Sequence, residues 1–288
     1  MDPIKLSAAA LGALIIGGTG IGLHFFVDSM EPVWYALSYE SNSSSTYDKK
    51  VGKDYGNYLV GVYGDTKDIK DRNKKWWEWS HKQFEYDLKN DRGSLSSEFF
   101  DNSQNKSKVS GAYKSSSQKT IGDSPKALNE VCDGIYKGKT KDEVEQTSTN
   151  NTNLSKNLWK YCSHLRTRPV LLNNEGYEDE TIGKDATHKD EAVATKGYDS
   201  NSSNEKFWRL RNDEFFGSKG KEGTGREAIE DGIFKTLYDK KNKYRTSKDT
   251  IKDVCEQVYS RKTAEKDTAL KIKDEYIKKF CYLVPNSN

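Results

Sequence analysis

Val131-Cys132-Asp133-Gly134-Ile135-Tyr136-Lys137-Gly138-Lys139-Thr140 returns 123 residues later as Val254-Cys255-Glu256-Gln257-Val258-Tyr259-Ser260-Arg261-Lys262-Thr263, with five of ten positions identical and two more conservative. An internal repeat of this kind decides the reading of the whole chain, because each copy must be one structural unit. The register runs upstream, where Ser124 falls on Ser247 and Leu128 on Ile251. Downstream, Leu158, Tyr161, Cys162 and Leu165 fall on Ile277, Phe280, Cys281 and Val284 at an offset of 119, so four residues are missing between the second pair of cysteines. Further back, Asn73, Lys75, Trp77 and Phe84 fall on Asn204, Lys206, Trp208 and Phe215 at an offset of 131. Each unit therefore reads Trp, Cys, Cys.

The apolar spacing inside each unit is helical. Leu128, Val131, Cys132 and Ile135 occupy i, i+3, i+4 and i+7, as do Ile251, Val254, Cys255 and Val258. Leu158, Tyr161, Cys162 and Leu165 repeat that spacing, and Trp77, Phe84 and Leu88 trace a further stripe. Helix starts are expected at Ser124-Pro125 and at a capping box of Thr246 with Asp249, and stops at Pro169 and Pro285. Pairs such as Glu78 with Lys82 read as a solvated helix face. Trp77, Phe84, Trp208 and Phe215, which recur, are the expected core anchors. Trp76 and Trp79 lie off that stripe and have no tryptophan counterpart, which makes them the expected exposed contact surface.

Each unit carries two cysteines at matching positions. Bridges Cys132 to Cys162 and Cys255 to Cys281 would close loops of about 30 residues and contribute about 3 to 4 kcal/mol each by chain-entropy reasoning. Matched pairs within units favour that connectivity over the other two pairings, and four buried free thiols are the competing reading. Zinc held by Cys162 and His164 is disfavoured: there is no CxxC pair and the second unit lacks the histidine.

Leu, Ile, Val and Phe make up about 19% of the 288 residues, and mean hydropathy is −0.94. That is thin material for a core, partly offset by 11% aromatics. The 47 basic and 44 acidic residues nearly cancel, so no basic face for nucleic acid is expected. From Leu6 to Val27 there is no charge, and about 22 residues at about 1.5 Å each span a bilayer core of about 30 Å. Lys5 on one flank and Asp28 and Glu31 on the other place the N-terminus in the cytoplasm and the rest outside. A cleaved signal peptide is the alternative. Gly18 and Gly22, with Ala8 and Gly12, form small-residue spacings that permit helix association.

The expected architecture is mainly α: a short tail (1–5), a transmembrane anchor or signal segment (6–27), a flexible stalk (28–66), helical repeat module 1 (67–170), a linker (171–203) and helical repeat module 2 (204–288). Ser- and Asn-rich composition suggests the stalk, while the stretch from Asn102 to Lys119 reads as a long loop inside module 1. His24, His81, His164 and His188 sit in no HExxH or triad context, and Gly217, Gly220, Gly223 and Gly225 lack the phosphate-loop pattern. No catalytic, cofactor or metal residues are therefore expected.

The Gly/Ala-rich run after a short start, Trp77-Glu78-Trp79, Val-Cys-x-x-x-Tyr and the terminal Phe280-Cys281 together resemble large paralogous families of uncharacterised membrane-anchored proteins of haemotropic mycoplasmas. Lysine outnumbers arginine 38 to 9 and asparagine is plentiful, as in products of AT-rich genomes. The resemblance implies a surface-exposed member of an expanded family with no catalytic residues to transfer. The expected function is display at the cell membrane with the C-terminal region extracellular, for contact with a host cell or host protein or for antigenic variation. Self-association or assembly with paralogues is the alternative, and a cryptic enzyme the third.

Overall fold

The computed structural model describes residues 31–40, 43–65, 69–118, 122, 125–145, 149–172, 176–196, 202–217, 222–228, 230–241, 245–266 and 270–285. The chain divides into two compact units, one ending at Thr167 and the other beginning at Arg168. The expected tail and anchor, with His24 and the small-residue spacings, lie outside the described residues. Among the described residues no helix is long and apolar enough to cross a membrane.

In unit 1 the tryptophan helix (Lys74–Asn90), the first cysteine helix (Leu128–Gly138) and the second cysteine helix (Thr149–Cys162) surround one core. Unit 2 repeats them as Ser203–Phe216, Ile251–Tyr259 and Asp274–Phe280. The disulfides join the two cysteine helices within each unit, with Cα separations of 5.8 Å for Cys132–Cys162 and 5.9 Å for Cys255–Cys281. The stripe residues read from the sequence are buried except Leu88 and Val284, which are half-buried, and Trp77, Phe84, Trp208 and Phe215 are all at most 2% exposed.

Two expectations are corrected by the segments that precede the tryptophan helices. Residues 31–65 are no stalk, and 171–172 with 176–196 are no linker: each is packed into its unit as an irregular strap. In unit 1 Trp34, Leu37, Tyr55, Tyr58, Leu59, Val60 and Val62 are buried, and in unit 2 Leu171, Leu172, Tyr177, Ile182, Ala192, Val193 and Ala194 are. The same side chains hold both straps. Asn73 Nδ2 donates to the carbonyls of Gly61 (2.8 Å) and Tyr35 (2.9 Å), and its Oδ1 accepts from Tyr35 N (2.8 Å). Asn204 does likewise to Ala194 and Val170. Trp77 Nε1 donates to Gly61 O and Trp208 Nε1 to Ala194 O.

On the opposite side, Tyr136 Oη reaches the carbonyls of Val60 and Cys162, and Tyr259 Oη those of Val193 and Cys281. Isolated bridges Ala36 to Val60 and Leu171 to Val193 close each strap on itself. A polar composition is compatible with burial here because helix side chains satisfy the strap's backbone groups, in place of a regular ladder.

One pair of glycines at matching places in the two straps is required by close approach to a tyrosine ring. A Cβ on Gly52 would lie 2.7 Å from the Tyr47 ring, and one on Gly183 would lie 2.7 Å from the Tyr177 ring. Those tyrosines also correspond, donating to Asp133 and Glu256 on the first cysteine helices. Gly52→Ala and Gly183→Ala are each expected to cost about 1 to 3 kcal/mol through overpacking. Gly134→Ala, with nothing within 4 Å of its Cβ, should instead stabilise by up to about 1 kcal/mol through helix propensity. Urea midpoints of the three variants check the ranking.

Helix limits also differ from those read in the sequence. Pro125 precedes a strand rather than opening a helix; the helix begins at Leu128, where the Glu130 carboxylate accepts the Ala127 N–H. Thr246 with Asp249 forms a separate turn, and the helix is capped one step later by Thr250, whose hydroxyl accepts from Asp253 N. The stretch expected as a loop from Asn102 contains part of an antiparallel hairpin, β1 (Phe100–Asp101) with β2 (Lys106–Ser107), and β3 (Val109–Gly111), which pairs in parallel with β4 (Lys126–Ala127). Strands of two or three residues carry no readable alternation.

Candidate functional site

Trp76 and Trp79, expected at the surface, are 0% and 8% exposed. They lie above a row of polar residues, Ser80, Gln83 and Asp87, that resembles a solvated face. Those residues are instead used inside: Ser80 Oγ donates to Tyr161 O, and Asp87 accepts from Tyr161 Oη (2.6 Å) and Lys160 Nζ (2.7 Å). Glu31 closes the cluster from the strap, accepting from Trp76 Nε1 (3.1 Å) and lying 2.7 Å from His164 Nδ1, while Trp34 stacks on the His164 ring at 4.4 Å. The Arg166 guanidinium lies 4.7 Å from the Trp79 ring centroid and donates to Ser80 Oγ. Burial pushes its pKa down to about 10, against the opposing pull of Glu31. The cluster is a clamp. It holds the chain from Glu31 onward against unit 1.

Unit 2 places Leu283 where unit 1 has His164, and puts its own polar cluster around His188, which is fully buried. Tyr282 Oη donates to Thr187 O (2.9 Å), which leaves a lone pair for the proton of His188 Nδ1 at 2.8 Å. That assigns the Nδ1–H tautomer and turns Nε2 toward Lys266 Nζ (3.4 Å) and Asp274 Oδ1 (3.3 Å). Burial first, then the Lys266 charge, holds the imidazole below its ordinary value, with Asp274 and Asp185 opposing.

Below about pH 6.5 the unfolded chain therefore binds more proton on this residue than the native state does. Stability of unit 2 is fully present above about pH 6.5 and declines as pH falls from there to the native pKa. Amide hydrogen exchange in Asp274–Phe280 should accelerate between pH 7.5 and 5.5, after correction for intrinsic rates, and His188→Gln should remove that dependence. Parallel behaviour of the two proteins would exclude the linkage.

The third feature is an open cleft of about 530 Å³ in unit 1, absent from the sequence reading. One wall is the first cysteine helix, contributing Val131, Gly134 and Ile135, and the other is the β1–β2 hairpin with Lys108 and Lys126. Asp101 ties the hairpin turn by accepting from Ser103 N, Ser103 Oγ and Gln104 N. Lys108 N bonds Phe99 O, and Lys126 N bonds Lys108 O, which sets the lysines along one edge. The sequence signal was the lysine content of the segment from Asn102 to Lys119, which composition alone assigned to solvent.

The four cysteines are all in disulfides, so no thiol is available among them as nucleophile or metal ligand. Among the described residues, no group of three or more His, Cys, Asp or Glu side chains is placed to hold a metal ion. Comparison with known proteins finds no matching family model, curated protein or solved structure.

Proposed function

We propose that this chain is a non-catalytic, membrane-anchored surface protein that displays two disulfide-stapled helical units outside the cell, for contact with a host cell or host protein or for antigenic variation. The observation that carries the reading is the pair of disulfides, one in each core, because such bonds form and persist in oxidising compartments. The uncharged run 6–27, with Lys5 on its other flank, supports an anchor that leaves both units on the far side. The resemblance to paralogous families of haemotropic mycoplasmas supports membership of an expanded surface repertoire. Duplication fits display, since the same stapled core is presented twice with different segments between the tryptophan helix and the first cysteine helix.

Non-reducing peptide mapping after protease treatment of intact cells tests the proposal. Expected are cleavage of both units from outside and disulfide-linked peptides containing Cys132 with Cys162 and Cys255 with Cys281. Free thiols in protease-protected units would reverse the orientation and remove the proposal.

A further inference from the structure

The clamp fixes where the chain enters unit 1. Glu31 is held by Trp76 Nε1 at 3.1 Å and His164 Nδ1 at 2.7 Å, and Trp34 closes over the His164 ring. Trp76 is in the first turn of the tryptophan helix, and His164 stands just past the end of the second cysteine helix. Entry is therefore at one end of the tryptophan helix. That helix carries the chain about 20 Å from Trp76 to Asn90. Its far end adjoins the β1–β2 hairpin, where Arg92 Nη1 donates to Asn105 Oδ1 at 3.0 Å.

The uncharged run ends at Val27, and only Asp28, Ser29 and Met30 separate it from Glu31. A chain advances at most about 3.6 Å per residue, so Glu31 lies within roughly 14 Å of Val27. With Val27 at the hydrocarbon edge, the headgroup layer takes up roughly 5 to 8 Å of that reach. What is left, roughly 6 to 9 Å, is less than the about 10 Å diameter of one helix with its side chains. It is also shorter than the radius of gyration of roughly 14 Å that a unit of this size has. The tether is too short to turn another end of unit 1 toward the bilayer, or to admit a protein between the two. The entry end also carries exposed apolar side chains. Val33, 49% exposed, follows the clamp, and Ile69, 52% exposed, lies in the turn before the tryptophan helix. The third exposed large apolar side chain among the described residues, Tyr39, is in the same strap, and none is in unit 2. Charge at this end is close to balance. Lys70 pairs with Asp65 at 3.3 Å, Arg72 stacks on the Tyr35 ring, and the exposed Lys74 and Lys75 have Asp71 and Glu78 as neighbouring carboxylates in the chain.

We infer that unit 1 sits on the bilayer that holds its own anchor, entry end down, with Val33 in the headgroup layer and the β1–β2 hairpin turned away. The partner at this face is the lipid surface. The tether selects it by leaving no room for a protein, and the exposed Val33 and Ile69 supply the apolar contact that an interfacial surface makes. Near-balanced charge means that zwitterionic headgroups suffice, without an anionic lipid. The hairpin end is then the part of unit 1 offered to any further partner. This inference rests on the reading of residues 6–27 as a membrane anchor, and it is the same on either side of the membrane.

The test uses the full chain carrying Val33→Cys or Gly93→Cys, labelled with bimane and reconstituted in phosphatidylcholine vesicles that contain a headgroup-nitroxide phosphatidylcholine as quencher. The four native cysteines are in disulfides, so the label reaches only the introduced thiol. Both sites tolerate it, since Val33 is exposed and a Cβ on Gly93 would meet nothing within 4 Å. Quenching at position 33 should be at least about threefold stronger than at position 93, because the helix between them sets the two about 20 Å apart. Raising salt to about 1 M should change quenching at position 33 by less than about twofold. Equal quenching at the two positions, or stronger quenching at 93, would overturn the docking. A signal at 33 that is lost in high salt would overturn the apolar seat, and one that falls as the protein-to-lipid ratio rises would give the face to a second copy of the chain and overturn the lipid assignment. Carbonate washing and flotation of the same vesicles keep the two readings apart. A chain that is retained but equally quenched removes the docking alone, whereas a chain that washes off removes the anchor and this inference with it.

Discussion

Cys132→Ala with Cys162→Ala is expected to destabilise unit 1 by about 3 to 4 kcal/mol, and Cys255→Ala with Cys281→Ala to destabilise unit 2 by a similar amount. The loops span 30 and 26 residues, and loop-closure entropy grows only with the logarithm of length, so the two effects differ by little. Small domains have stabilities of about 5 to 15 kcal/mol, which makes either loss a large fraction of what holds its unit folded. Tryptophan fluorescence in urea separates the units, since Trp34, Trp76, Trp77, Trp79 and Trp159 report on unit 1 and Trp208 reports on unit 2. Each double variant should shift the signal of its own unit. An unchanged midpoint in both would mean that the crosslinks do not limit the unfolded ensemble, and that packing around Trp77 and Trp208 carries the stability.

Asn73→Ala should cost about 1 to 3 kcal/mol, and Asn204→Ala about the same, because each truncation removes three hydrogen bonds and leaves the N–H of Tyr35 or Val170 without its acceptor, while the carbonyls keep bonds from Trp77 Nε1 and Gly61 N, or from Trp208 Nε1 and Ala194 N. The effect is expected to be local in kind: residues 31–65 or 170–196 should become accessible to protease while the cysteine helices, still joined by their disulfides, resist longer. Asn73→Asp keeps the acceptor for Tyr35 N but loses both donors, so it should recover little. Limited proteolysis read by mass spectrometry distinguishes this from general unfolding. If cleavage in the strap does not increase relative to cleavage in the helices, the asparagine is not what retains the strap.

These expectations join two kinds of information. The duplicated Trp, Cys, Cys order and the i, i+3, i+4 spacings were legible because a helix buries one face and identical faces repeat in both units. The pairing of Cys132 with Cys162 and of Cys255 with Cys281 followed from that duplication. The straps were not legible. Their buried residues, such as Leu37, Val60 and Val193, follow no period, since their backbone groups are satisfied by Asn73, Trp77 and Tyr136, or by Asn204, Trp208 and Tyr259, far along the chain.

Trp76 and Trp79 show the same limit from the other direction. Beside Ser80, Gln83 and Asp87 they resembled an exposed edge, and only the approach of Tyr161, Arg166, His164 and Glu31 turns that edge into core. Local sequence thus determined which helices form, how many times the unit occurs and which cysteines pair, because these depend on periodicity and repetition along the chain. Tertiary structure alone decided what encloses those helices and at which end of unit 1 the chain enters. Both depend on hydrogen bonds and charge pairs between residues tens of positions apart, and neither leaves a pattern in the order of residues.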